Sequence, residues 1–216
     1  MVPPFSVTPS EILHDELNFR VREILKNDYY TMSINKLTLE EDLLEEISRV
    51  SFRLNLGSES KEITGTGKGV VDALFTGIMN CLEKEYISLS ELSLVDFSIE
   101  GDFERKTYKK SNTDVDVEAR LLMQSSGGLE FIFRERSPSM NTAAIKVVLK
   151  VMEHFINAER AVGVLYECID DAKKRQRGDL VDSYLRELSE LVRSISYEKK
   201  IKDLLEAKLE CEQRRK

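Results

Sequence analysis

Apolar and polar residues alternate most clearly at Val50, Phe52, Leu54 and Leu56, separated by Ser51, Arg53 and Asn55. A period of two places one row of side chains against a core and the other in water, so this stretch predicts a half-buried strand. Before it, Met32, Ile34, Leu37 and Leu39 suggest another strand from about Tyr30, ended by the acidic stretch Glu40 to Glu46. After it, Gly57-Ser58-Glu59-Ser60 predicts a hairpin turn, and Lys61 to Thr66 a returning strand. The period then changes. Val70, Val71, Leu74, Phe75, Ile78, Met79 and Leu82 form a two-wide stripe at helical spacing.

The same order follows again. Leu89, Leu92, Leu94, Phe97 and Ile99 suggest a strand, and Glu100 to Thr113 a polar loop or extended hairpin tip. Val115, Val117, Ala119, Leu121 and Met123 alternate, Gly127-Gly128 turns the chain, and Leu129, Phe131 and Phe133 return. Beyond Ser137-Pro138-Ser139, the residues Ala143, Ala144, Val147, Val148, Val151, Met152, Phe155 and Ile156 line one helical face. Strand-strand-strand-helix is thus predicted twice, over 30–87 and 88–161. One such unit covers a single face of its sheet, so two units sharing a core predict an α+β domain.

Helical segments flank this pair. Thr8-Pro9-Ser10-Glu11 reads as a capping box with proline in the first turn, behind a loose arm at Met1 to Ser6. Ile12, Leu13, Leu17, Val21, Ile24 and Leu25 then recur at helical spacing, with an end expected near Asn27. The division expected is 1–29 for the arm and helix, 30–161 for the repeat pair and 162–216 for a helical extension. Within that extension Arg177-Gly178-Asp179 predicts a glycine C-cap and an aspartate N-cap. Leu180, Tyr184, Leu188, Val192 and Ile195 face one way beyond it, and Ile201, Leu204, Leu205 and Leu209 continue the pattern. An intrachain hairpin and an intermolecular coiled coil both fit so few heptads.

Composition narrows the function classes. The 216 residues carry a net charge of −7, against a general nucleic-acid binder, which needs a clustered basic surface. No apolar run is long enough to span a bilayer, and no basic and apolar leader opens the chain, so no membrane partner and a cytoplasmic setting are expected. Cys81, Cys168 and Cys211 form no C-x-x-C pair, and His14 and His154 have no ligand spacing to them; no metal site is expected. The paired acids Glu40-Glu41-Asp42 and Asp170-Asp171 read as solvated helix ends, and no nucleophile with an adjacent histidine stands out.

One motif remains. Gly65, Gly67 and Gly69 precede a helix that starts at once, and a helix start turns free N–H groups toward a carboxylate or phosphate. By spacing alone the turn serves geometry or an anion. Gly65-Thr66-Gly67-Lys68-Gly69-Val70-Val71-Asp72-Ala73-Leu74-Phe75 resembles the glycine signature, Gly-x-Gly-x-Gly-Pro-Val-Asp-Ala, of the C-terminal regulatory domain of 2-isopropylmalate synthase, with homologous domains in citramalate synthase. The resemblance covers about Met32 to Ala161. It implies two βββα units related by a pseudo-two-fold, a homodimer, and a branched-chain amino-acid effector such as leucine or isoleucine bound as a feedback inhibitor. The effector's carboxylate would meet Gly65, Gly67, Gly69 and Val70, its ammonium Asp72, and its side chain the space beside Ala73.

Ser137, Ser139 and Asn141 stand at the corresponding start of the second helix. Val70 replaces the family's proline and Lys68 a common acid. Arg134 to Asn141 has no glycine, so a bulkier charged turn is expected there. The synthases' catalytic barrel and His-x-His metal ligands are missing from this sequence, and such a barrel needs about 200 residues or more. The resemblance therefore implies a non-catalytic module, without catalytic residues or cofactor, whose partner is a separate synthase chain. The rival expectation is a scaffold that has lost effector binding and acts through its helical extension.

Overall fold

The computed structural model describes residues 9–101, 117–125 and 127–195. The arm at Met1 to Ser6, the capping Thr8, residues 102–113 of the polar segment, the stripe from Ile201 to Leu209 and Cys211 lie outside the described residues. Helix α1 (Pro9–Leu25) ends in a short 3-10 turn at Lys26–Asp28, close to the expected stop. Strands β1 (Met32–Asp42), β2 (Ile47–Leu56) and β3 (Glu59–Gly67) lead to α2 (Val70–Leu82). Strands β4 (Leu92–Gly101), β5 (Val117–Ser125) and β6 (Glu130–Ser137) lead to α3 (Met140–Lys174), and α4 (Gly178–Ile195) follows. The fold is α+β, with two three-stranded antiparallel sheets ordered β1-β2-β3 and β4-β5-β6.

Alternation sets each sheet's buried face. Ser48, Val50, Phe52, Leu54 and Leu56 are buried on β2, and Ala119, Leu121, Met123 and Ser125 on β5. Both first strands bulge. Ile34 and Leu37 lie opposite Leu54 and Phe52, and Leu94 and Phe97 lie opposite Met123 and Leu121. Three residue steps face two in each case, so one residue is extra. Counted from the pairs Ser48–Gly67 and Val117–Ser137, the two bulges fall at the same place. In both units the helix packs on the second and third strands. The inner rows of the first strands, Ile34, Leu37 and Leu39 on β1 and Leu94, Phe97 and Ile99 on β4, stay half-buried.

Several expectations change. Leu89 belongs to a 3-10 turn, Ile87–Glu91, and β4 starts only at Leu92. The acids Glu40, Glu41 and Asp42 continue β1, because Arg49, Ser48 and Ile47 pair with them across the ladder. Arg134, Glu135 and Arg136 are strand residues of β6, so the bulky charged turn expected there is reduced to Pro138 and Ser139. Helix α3 runs unbroken through Gly163 and through the boundary expected at residue 161. A central glycine costs about 1 kcal/mol of helix propensity. Val162 before it and Leu165, Ile169 and Ala172 beyond it are buried and outweigh that cost.

Helix α3 ends with Gln176 in the left-handed region (φ 56). Gln176 N–H donates to the Lys173 carbonyl (3.0 Å) and Arg177 N–H to that of Ala172 (2.9 Å). These are the two bonds of a Schellman stop. Gln176, not Gly178, supplies the left-handed residue, and Gly178 opens α4 instead. The Asp179 carboxylate pairs with Arg177 at 2.7 Å. Helix α4 folds back on α3 within the chain, burying Leu188, Leu191 and Val192, while α1 lies on α3 and β6 through Leu17, Val21 and Leu25.

Candidate functional site

The glycine turn is built by close approach of β3 and α2. A Cβ on Gly65 would stand 2.0 Å from the Ala73 carbonyl oxygen, and one on Gly67 would stand 2.5 Å from the Ala73 nitrogen. Gly77, one turn further along α2, meets Gly65 Cα in the same way at 3.1 Å. Strand and helix backbones therefore touch where side chains normally separate them. Ala73 is wholly buried in this contact, so the room it leaves is taken by β3. Gly69 has open space around it and extended backbone.

Gly69 is the N-cap of α2 and brings no side-chain acceptor, so the first-turn N–H groups have no side-chain cap. Val70 is half-buried and Asp72 exposed. The Asp72 carboxylate accepts the Lys68 N–H at 2.9 Å, closing the turn from inside the helix. An acid in the first turn also faces the positive end of the helix dipole.

The second turn is chemically different. Ser139 is the N-cap of α3, and its hydroxyl accepts the Thr142 N–H at 3.4 Å. Ser137 is buried, and its hydroxyl accepts the Ser139 N–H at 3.4 Å. Asn141 is exposed. Glu135 pairs with Lys150 of α3 at 2.9 Å, while Glu118 accepts both Arg134 (3.2 Å) and Arg136 (2.6 Å). Among the described residues no hydrogen bond joins the Gly65–Ala73 turn to the Ser137–Asn141 turn. Each set is assembled locally.

A polar cluster on α3 was not legible in the hydrophobic pattern. The wholly buried Asn157 accepts the Tyr30 N–H through Oδ1 and donates Nδ2 to the Tyr30 carbonyl, both at 2.8 Å. The amide thus pairs with one residue's backbone as a neighbouring strand would. One turn earlier the Glu153 carboxylate accepts the Met32 N–H at 2.5 Å. Burial holds that carboxyl above the usual range, against the Met32 bond and the nearby Arg22. Arg160 lies over the Tyr30 ring at 3.4 Å and donates to the Asp28 carbonyl. Glu159 accepts the N–H groups of Ile87 (3.2 Å) and Ser88 (2.8 Å).

One helix therefore grips the chain ahead of β1 and ahead of β4. The signal available was the spacing of Glu153, Asn157 and Arg160, polar residues recurring on one face among apolar ones. His154 is buried among Phe131, Phe133 and Phe155, with Nδ1 2.9 Å from Asn18 Oδ1. Among the described residues no group of histidine, cysteine and carboxylate side chains is arranged to hold a metal ion. An apolar cleft of about 190 Å³ opens between α1 and α4. Leu17, Ile24 and Leu191 line it, and Arg20 pairs with Glu190.

Compared with known proteins, the chain matches no family model and no curated protein. Among the described residues no helix is long and apolar enough to cross a membrane.

Proposed function

We propose that the chain is a non-catalytic regulatory and dimerisation module, similar to the C-terminal regulatory domain of 2-isopropylmalate synthase, working in the cytoplasm. The observation that carries this reading is the twofold βββα order with a bulge at the same step of each first strand. On this reading the two units are related by a pseudo-two-fold. The half-buried inner rows of β1 and β4 are the surfaces a second copy covers. A branched-chain amino acid binds at the mouth of the glycine turn. Its carboxylate takes the uncapped N–H groups of α2 and its ammonium the exposed Asp72. A separate catalytic synthase chain is the partner that such a module regulates.

Titration calorimetry with leucine, isoleucine and valine tests the effector. Saturable heat with one of them, abolished by Asp72→Ala, is expected; no heat and no thermal shift at millimolar ligand removes it. Light scattering is expected to give twice the chain mass, and a monomer at every concentration removes the dimer. A second reading is favoured by the contacts of Gly65 and Gly67 with Ala73 and by the bond from Lys68 to Asp72. On that reading the glycines serve packing and the module is a scaffold acting through its helical extension. Deleting residues 163–216 then abolishes partner capture, while no branched-chain amino acid gives heat.

A further inference from the structure

The most exposed large apolar side chains of the described residues stand together at the β1–β2 tip, Leu43 at 84% and Leu44 at 97% exposure. A leucine pair in water is unfavourable unless something covers it, since each buried leucine is worth roughly ten- to hundred-fold in an equilibrium. The tip is also held in shape. Asp42 Oδ1 accepts the N–H groups of Leu44 (3.0 Å) and Glu45 (3.1 Å), and Glu46 closes the turn at φ 54. The opposite hairpin end, Gly57-Ser58, carries no apolar side chain. Around the leucines stand Glu40, Glu41, Asp42, Glu45 and Glu46, with Arg49 3.9 Å from Glu45.

From this ordered tip we infer that Leu43 and Leu44 form a docking knob for a different protein, one whose apolar socket is rimmed by lysine or arginine. The carboxylates select the rim. They repel nucleic acid and anionic lipid, and they repel the same tip of a second copy in a chain of net charge −7. The two arginines just past the end of α3, Arg175 and Arg177, are already paired with Asp171 and Asp179. The leucines supply the buried centre and the acids the orientation and approach rate. This surface is independent of the effector reading.

The test uses the full chain carrying Leu43→p-benzoylphenylalanine, photo-crosslinked in its source cells, followed by titration of the purified cross-linked protein. A partner with a basic-rimmed socket is expected. The double variant Leu43→Ser/Leu44→Ser should weaken its binding by roughly 100-fold or more. The variant Glu40→Gln/Glu41→Gln/Glu45→Gln/Glu46→Gln should slow association and flatten its salt dependence. Melting of both variants is expected to match the parent, since neither leucine is buried in the fold. Cross-links only to a second copy, only to lipid, or to nothing overturn the inference. So does a partner that binds the serine variant as tightly as the parent.

Discussion

In the first unit the strand reaches its helix through Gly65, Gly67 and Gly69; in the second, Glu135, Ser137 and Ser139 stand at the same three places. Both turns take two residues, and in both the fourth helical residue donates its N–H to the cap carbonyl at 2.9 Å, Ala73 to Gly69 and Ala143 to Ser139. The difference lies in what stands between strand and helix. Helix α2 touches β3 backbone to backbone, and Gly77 repeats the contact a turn later. In the second unit the same steps carry side chains, so Glu135 of β6 reaches Lys150 of α3 and Ser139 caps the helix. Removing side chains brings the helix closer but leaves its start without a cap. Keeping them supplies the cap and charge pairs of a much longer helix.

The strongest test of this contrast is Gly65→Ala against Glu135→Ala. The new methyl meets a backbone oxygen that cannot step aside, and about 3 kcal/mol or more of urea stability should be lost. Glu135→Ala removes one half-exposed ion pair and should cost about 1 kcal/mol or less. Next comes Asn157→Ala, which leaves Tyr30 N–H and C=O without their partner. A loss of about 3 kcal/mol is expected, together with faster hydrogen exchange ahead of β1. The caps can also be exchanged. Ser139→Ala should cost about 1 kcal/mol, whereas Gly69→Ser, in open space and extended backbone, should gain about 0.5 kcal/mol in thermal melts.

The smallest effect concerns the α3 cluster. Burial raises the Glu153 pKa in the folded state, so ionisation above that pKa opposes folding. Glu153→Gln keeps an acceptor for Met32 and should be the more stable form at neutral pH. Its advantage should shrink as pH falls through the raised pKa and stop changing below the ordinary glutamate value of about 4.3.

Where one residue's neighbours along the chain determine its fate, the sequence was informative. Val50 to Leu56 alternate, and β2 has that buried row; the stripe from Val70 to Leu82 is α2 with the same ends. The strand-then-helix setting of Gly65, Gly67 and Gly69 was legible too. Their contact with Ala73 was not, because it depends on how near two layers pack. The boundary expected at residue 161 falls inside α3, because burial on either side of Gly163 carries the helix across it. Arg134, Glu135 and Arg136 read as a turn because their partners, Glu118 and Lys150, come from other elements. Asn157 and Glu153 were hidden for the same reason: their partners at Tyr30 and Met32 lie more than a hundred residues back.

Helix α3 has a mechanical consequence. At about 1.5 Å per residue its 35 residues make a rod of roughly 52 Å, so a tilt of about 5° at its first turn swings the last turn by roughly 4 Å. Its residues from Glu153 to Arg160 tie it to the chain ahead of both sheets, and its last turn leads directly into α4. Adjustments too small to notice at Ser139 thus arrive at α4 as displacements larger than a bond length, which makes the helical hairpin the pointer on this molecule's dial.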